Sequence, residues 1–134
     1  MAVVVGYVPT KEGRAALRRA AEECRLRSTK LVVVSSARGG RNLDSKDVAQ
    51  FDSLLDEVRG MLAESSVEHE ERQFVRGNEP AEDLIAVADE VGADMIVIGL
   101  RKRTPVGKLL LGSNAQRILL EASCAVLAVK AEDD

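Results

Sequence analysis

Aromatic side chains are scarce in this sequence: one Tyr, two Phe and no Trp, 2% of 134 residues. Single-stranded nucleic acids need stacking platforms, and nucleic acids in general need a positive field. A net charge of -3 supplies no such field, so no nucleic-acid partner is expected. Cysteine occurs twice, at Cys24 and Cys124, far apart and with no CxxC pair. Both are expected to be reduced packing thiols of a cytoplasmic protein, dispensable for function. The single histidine, His69, lies between Glu68 and Glu70. With no second His and no paired Cys, zinc has no ligand set. A Ser-His-Asp triad would have to use this same His, and no GxSxG is present. No apolar run approaches membrane-spanning length, so no membrane partner is expected. The opening "MAVVVGYVPT" lacks the positive start and apolar length of a secretory signal.

What is present suits a soluble globular chain: 46% apolar and 31% charged residues. "AVVVGY" (Ala2–Tyr7), "KLVVVSS" (Lys30–Ser36) and "DMIVIG" (Asp94–Gly99) are short apolar runs that read as buried strands, and the apolar "CAVLAVK" (Cys124–Lys130) reads as the last strand. "VEHEERQFV" (Val67–Val75) is polar and suits an edge strand protected by its charges. Between them lie helical patterns. The first runs from its cap Thr10 to Arg27, with Ala16, Leu17, Ala20, Ala21 and Cys24 at helical spacing. The second, Asp44–Ser65, carries Val48, Phe51, Leu54, Leu55, Val58 and Leu62 on one stripe. The third, Gly77–Ala93, has Asn78 as a cap and Pro80 in its first turn, and the last is Ser113–Ser123. Alternation of this kind predicts α/β architecture over residues 1–134 as a single domain: an open parallel sheet with helices on both faces. "RGGR" at Arg38–Arg41 is a single copy and reads as a flexible loop.

Ligands in such sheets bind beyond the carboxyl ends of the strands, where the strand order reverses. The loops after each strand hold no P-loop, because Gly107-Lys108 is preceded five positions earlier by Lys102 and followed by Leu109. No GxGxxG follows the first strand, and that strand's end has no carboxylate for a receiver-type site. "IGLRKRTPVGKLLLGSNAQRILL" (Ile98–Leu120) remains. Ser113-Asn114-Ala115-Gln116 fits a capping box, the helix start offers free amides, and Gly112 permits close backbone approach. Arg101, Lys102, Arg103 and Lys108 add cations. One reading is a capped helix with solvated charges; the other is an anion site.

Gly99, then Gly112-Ser113 thirteen positions on, then a helix and a terminal "AVLAVK", resembles the universal stress protein family. Its nucleotide-binding members carry G-x2-G-x9-G-[ST]. Here the second glycine falls on Lys102, while the nine-residue spacer Arg103–Leu111 keeps its length. Such members also have an acidic D-x-S after the first strand, where this chain has Val8-Pro9-Thr10 and retains only the hydroxyl. The resemblance implies five strands in the order 3-2-1-4-5, as in the adenine nucleotide α-hydrolase-like folds. It implies a site for ATP or another adenine nucleotide at Gly6, Val8, Thr10, Val34, Gly99, Arg101, Lys102, Arg103, Gly112, Ser113 and Asn114. It further implies a cytoplasmic stress-response regulator, forming a homodimer through Val126, Leu127, Ala128 and Val129 of the last strand. The sequence requires no metal, and with no general base in "VPT" or "GLRKRTPVGKLLLGS" no enzyme is expected. The alternative is a homodimeric interaction module of the same family that binds no nucleotide.

Overall fold

β-branched and other apolar residues dominate four of the five strands, and in the three inner strands burial explains why. The structure is a computed structural model and describes residues 2–36, 45–74, 79–100 and 112–131. The chain alternates β1 (Ala2–Gly6), α1 (Lys11–Arg27), β2 (Lys30–Ser36), α2 (Ser45–Leu62), β3 (His69–Phe74), α3 (Pro80–Val91), β4 (Met95–Leu100), α4 (Ser113–Glu121) and β5 (Ala125–Lys130). All strand pairs are parallel, in the order β3-β2-β1-β4-β5, which is the order expected. β1 is central, pairing with β2 from Ala2↔Lys30 to Gly6↔Val34 and with β4 at Val3↔Met95 to Val5↔Val97.

Strand side chains alternate between faces, so the core divides into two layers. Val3, Val5, Leu31, Val33 and Val97 meet Ala16, Leu17, Ala20 and Cys24 of α1 and Val58 and Leu62 of α2. Val4, Val32, Val34, Ile96 and Ile98 meet Ala81, Leu84, Val87 and Ala88 of α3 and Ile118 of α4. Helices therefore cover both faces. The edge strand β3 is polar, as expected, and its charges are paired. Glu70 accepts from Lys30 at 2.9 Å and Arg72 at 3.0 Å, Arg72 also meets Glu90, and Glu71 pairs with Arg59 at 3.2 Å.

Three local expectations shift. The second helix stops at Leu62, where the Ser65 hydroxyl donates to the Leu62 carbonyl at 2.7 Å and closes the end. The third begins at Pro80 with Glu79 at the N-cap position, and Asn78, expected as its cap, lies outside the described residues. The fourth has Gly112 as its N-cap and Ser113 as its first helical residue, with no side-chain cap bond. That one-residue shift puts Gln116 a position past the one a capping box requires. Thr10, by contrast, caps α1 as read, its hydroxyl oxygen accepting from Gly13 N at 3.1 Å. Both cysteines are free. Burial pushes the Cys24 thiol up to about 11, which keeps it protonated and poorly nucleophilic.

Candidate functional site

The strand order reverses between β1 and β4, and a crevice of about 210 Å³ opens over their carboxyl ends. Its floor is Gly6, Tyr7 and Val8 from the end of β1, Val34 from β2, and Ile98 and Gly99 from β4. One lip carries Pro80 and Leu84 of α3 with Asn114, Ala115 and Ile118 of α4, and Glu12 of α1 borders the other. The wall is largely aliphatic, which suits a planar apolar group.

The loop from β1 into α1 is folded tightly on itself. Thr10 N donates to the Val8 carbonyl at 2.8 Å, and Arg14 N to the Thr10 carbonyl at 2.9 Å. A Cβ on Gly13 would lie 1.9 Å from the Val8 carbonyl oxygen. Gly99 is equally constrained: its Cβ would lie 2.2 Å from the Glu12 carbonyl oxygen. The glycine read from sequence as part of a phosphate motif is therefore the point where α1 seats on β4.

α3 and α4 present their N-termini side by side, but unequally. α3 carries Glu82 and Asp83 in its first turn, and the Asn114 side-chain oxygen accepts from Ala81 N at 3.2 Å. Asn114 thus supplies from α4 the cap that α3 lacks locally. Arg117 reinforces the contact, bonding Glu82 of α3 at 2.8 Å and Glu121 of its own helix at 2.9 Å. α4 has no acidic residue in its first turn and a glycine N-cap without a side-chain bond. Among the described residues its positive end, with the first amides outside the intrahelical ladder, meets no acidic side chain of its own first turn and no side-chain cap.

Of the residues expected at the site, Gly6, Val8, Val34, Gly99 and Asn114 line the crevice. Thr10 caps α1, and Gly112 and Ser113 start α4 beside the lining residues Asn114 and Ala115. Arg101, Lys102, Arg103 and Lys108 lie outside the described residues. Glu12 is the residue that reading the chain missed, because the search for carboxylates stopped at "VPT", two positions short. Leu84, Ile98 and Ile118 were legible only as core. Among the described residues no group of three or more His, Cys, Asp or Glu is placed to hold a metal ion, and no helix is long and apolar enough to cross a membrane.

A family model described as the universal stress protein family matches residues 1–130. A universal stress protein of Mycolicibacterium smegmatis is 42% identical over 128 residues, covering 96% of each chain. The solved structure of a universal stress protein from Archaeoglobus fulgidus aligns with a TM-score of 0.84 at 39% identity, covering 97% of this chain and 98% of that one. Another from the same organism, in complex with dAMP, aligns at 0.80 and 34% identity, with coverage of 97% and 98%.

Proposed function

The chain belongs to the universal stress protein family, and from that premise we propose that it binds an adenine nucleotide and acts as a non-catalytic stress-response regulator, a single domain over residues 1–134. The observation that carries this reading is the N-terminus of α4, without a side-chain cap among the described residues, beside an aliphatic crevice at the β1–β4 reversal. Phosphate oxygens suit the amides and positive dipole end of α4, and the Ser113 hydroxyl is proposed to add a donor. The base then suits the apolar end at Val34 and Leu84. That a relative from Archaeoglobus fulgidus is solved in complex with dAMP, an adenine nucleotide, supports the ligand class. Arg101, Lys102 and Arg103 are proposed to add charge from the preceding loop, and Gly6, Val8 and Thr10 to border the ligand.

Titration calorimetry with ATP, ADP and AMP tests the reading. Ser113→Ala is expected to weaken binding roughly tenfold, the loss of about 1.4 kcal/mol, and Gly112→Val to weaken it further by obstructing close approach. No heat at millimolar nucleotide would overturn the reading in favour of the nucleotide-free interaction module. Equal binding by wild type and both variants would place the ligand elsewhere.

The same reading includes a cytoplasmic homodimer through β5. This strand is an edge, paired on one side with β4 from Met95↔Ala125 to Leu100↔Lys130, and its Val126, Leu127 and Val129 are only half-buried. An apolar edge needs a cover, and a second copy supplies one. Wild type is expected to sediment as a dimer at tens of micromolar, and Leu127→Lys or Val129→Lys as a monomer. Both side chains also touch the α1 core layer, so circular dichroism should confirm that the variants stay folded. A monomeric wild type would remove the proposal.

A further inference from the structure

Resting on the nucleotide reading, we propose that Glu57 of α2 is a positioning residue for a crevice it does not line, coupling α2 to the β1–α1 turn. That turn runs from Val8 to Gly13. Backbone bonds from Thr10 N to Val8 and from Arg14 N to Thr10 close it, and Gly13 packs directly on the Val8 carbonyl. A turn closed in this way moves as a unit, so its position is set at its two ends. Tyr7 stands at one end and Arg14 at the other, and the side chains of both reach Glu57. Glu57 lies 43 residues from Arg14 in sequence, so α2 holds the turn from outside.

The two arms are unequal. Arg14 Nε donates to Glu57 Oε1 at 2.5 Å, a charge-assisted bond between half-exposed side chains. The Tyr7 hydroxyl lies buried beside this pair with no hydrogen-bond partner among the described residues. A buried hydroxyl left unpaired is costly, and a carboxylate can accept from Arg14 and from a phenol together. A small shift of α2 against the turn would let Tyr7 donate to Glu57. The trio thus has two arrangements, with the phenol unpaired or paired, and they differ in where α2 sits. Tyr7 and Val8 both border the crevice, so a ligand seated there biases the choice. By reciprocity, the choice made at Glu57 biases affinity for the ligand.

The test compares wild type with Glu57→Gln, which keeps the shape and removes the charge, and with Asp56→Asn, an exposed neighbour on α2, as control. Without ligand, Glu57→Gln is expected to lower the phenolate midpoint of Tyr7, the one tyrosine, while Asp56→Asn leaves it in place. In calorimetry, AMP should bind roughly fivefold more weakly to Glu57→Gln, the low end of ordinary coupling between sites, and unchanged to Asp56→Asn. Hydrogen exchange separates coupling from a general loss of stability. Saturating AMP should slow exchange at residues 54–62 in wild type and in Asp56→Asn, but not in Glu57→Gln. An unmoved phenolate midpoint, an unchanged affinity, or an equal response of α2 to AMP in wild type and Glu57→Gln overturns the assignment. If wild type binds AMP while α2 does not respond, the coupling alone fails. If wild type binds no AMP, the nucleotide reading itself fails and this assignment falls with it.

Discussion

Replacing Gly99 with alanine is expected to destabilise the ligand-free protein by about 1–3 kcal/mol, the usual cost of forcing a methyl group into a filled contact. The added Cβ would sit 2.2 Å from the Glu12 carbonyl oxygen and 2.6 Å from its carbonyl carbon, and backbone cannot swing aside as a side-chain tip can. α1 would have to lift from β4, loosening Ala16, Leu17 and Ala20 from the core they fill. For a chain of this size each kcal/mol lowers Tm by about 4 °C. Gly60 is the control: it lies within α2 with nothing within 4 Å of where its Cβ would stand, so alanine there should stabilise the helix by about 0.5–1 kcal/mol. Thermal melts without nucleotide measure both. An unchanged Tm in Gly99→Ala, accompanied by lost nucleotide binding, would mean that this glycine serves the phosphate and not the helix contact.

Tyr7 is expected to titrate far above an ordinary phenol and to limit alkaline stability. It is 2% exposed in the layer beneath α1 and α2. Its hydroxyl lies beside the Glu57–Arg14 pair, 2.5 Å apart, without meeting hydrogen-bond geometry to either. Burial first, and the Glu57 carboxylate second, push its pKa from 10.0 to about 12. The folded state thus holds its proton through a window in which the unfolded chain has released it. The contribution is complete below pH 10 and is lost as pH rises toward 12, and two units amount to roughly 3 kcal/mol. Tyr7 is the only tyrosine, so phenolate absorbance reports on this one group. Tyr7→Phe should abolish this part of the alkaline loss and, by deleting a buried oxygen with no hydrogen-bond partner among the described residues, leave neutral-pH stability equal or higher. A phenolate midpoint near 10 in the folded protein would refute the account.

Some of this protein is determined by sequence alone. Runs such as "AVVVG" and "KLVVV" specify buried parallel strands because every second side chain meets a different helical layer, and both layers demand apolar atoms. The polar β3 marks an edge for the opposite reason. Thr10 is legible as a cap because its partner, Gly13, is three residues away. These depend on local periodicity. The position of the crevice follows from where the strand order reverses, and that order is implied by the family resemblance.

The roles inside the crevice were decided by packing between segments distant in sequence. Asn114 caps α3 across a separation of 33 residues, which no local pattern encodes. Ser113 read as a cap, but backbone geometry gave that place to Gly112, because a helix start is set by where its first turn docks. Gly99 and Gly112 look equivalent as motif glycines, yet the approach of α1 gives Gly99 a steric duty of its own. Glu12 lies in the first turn of α1, and only the seating of α1 on β4 brings it to the crevice. Periodicity records which face of an element is buried; which side chains converge on one point depends on how those faces pack, and that information is spread over the whole chain.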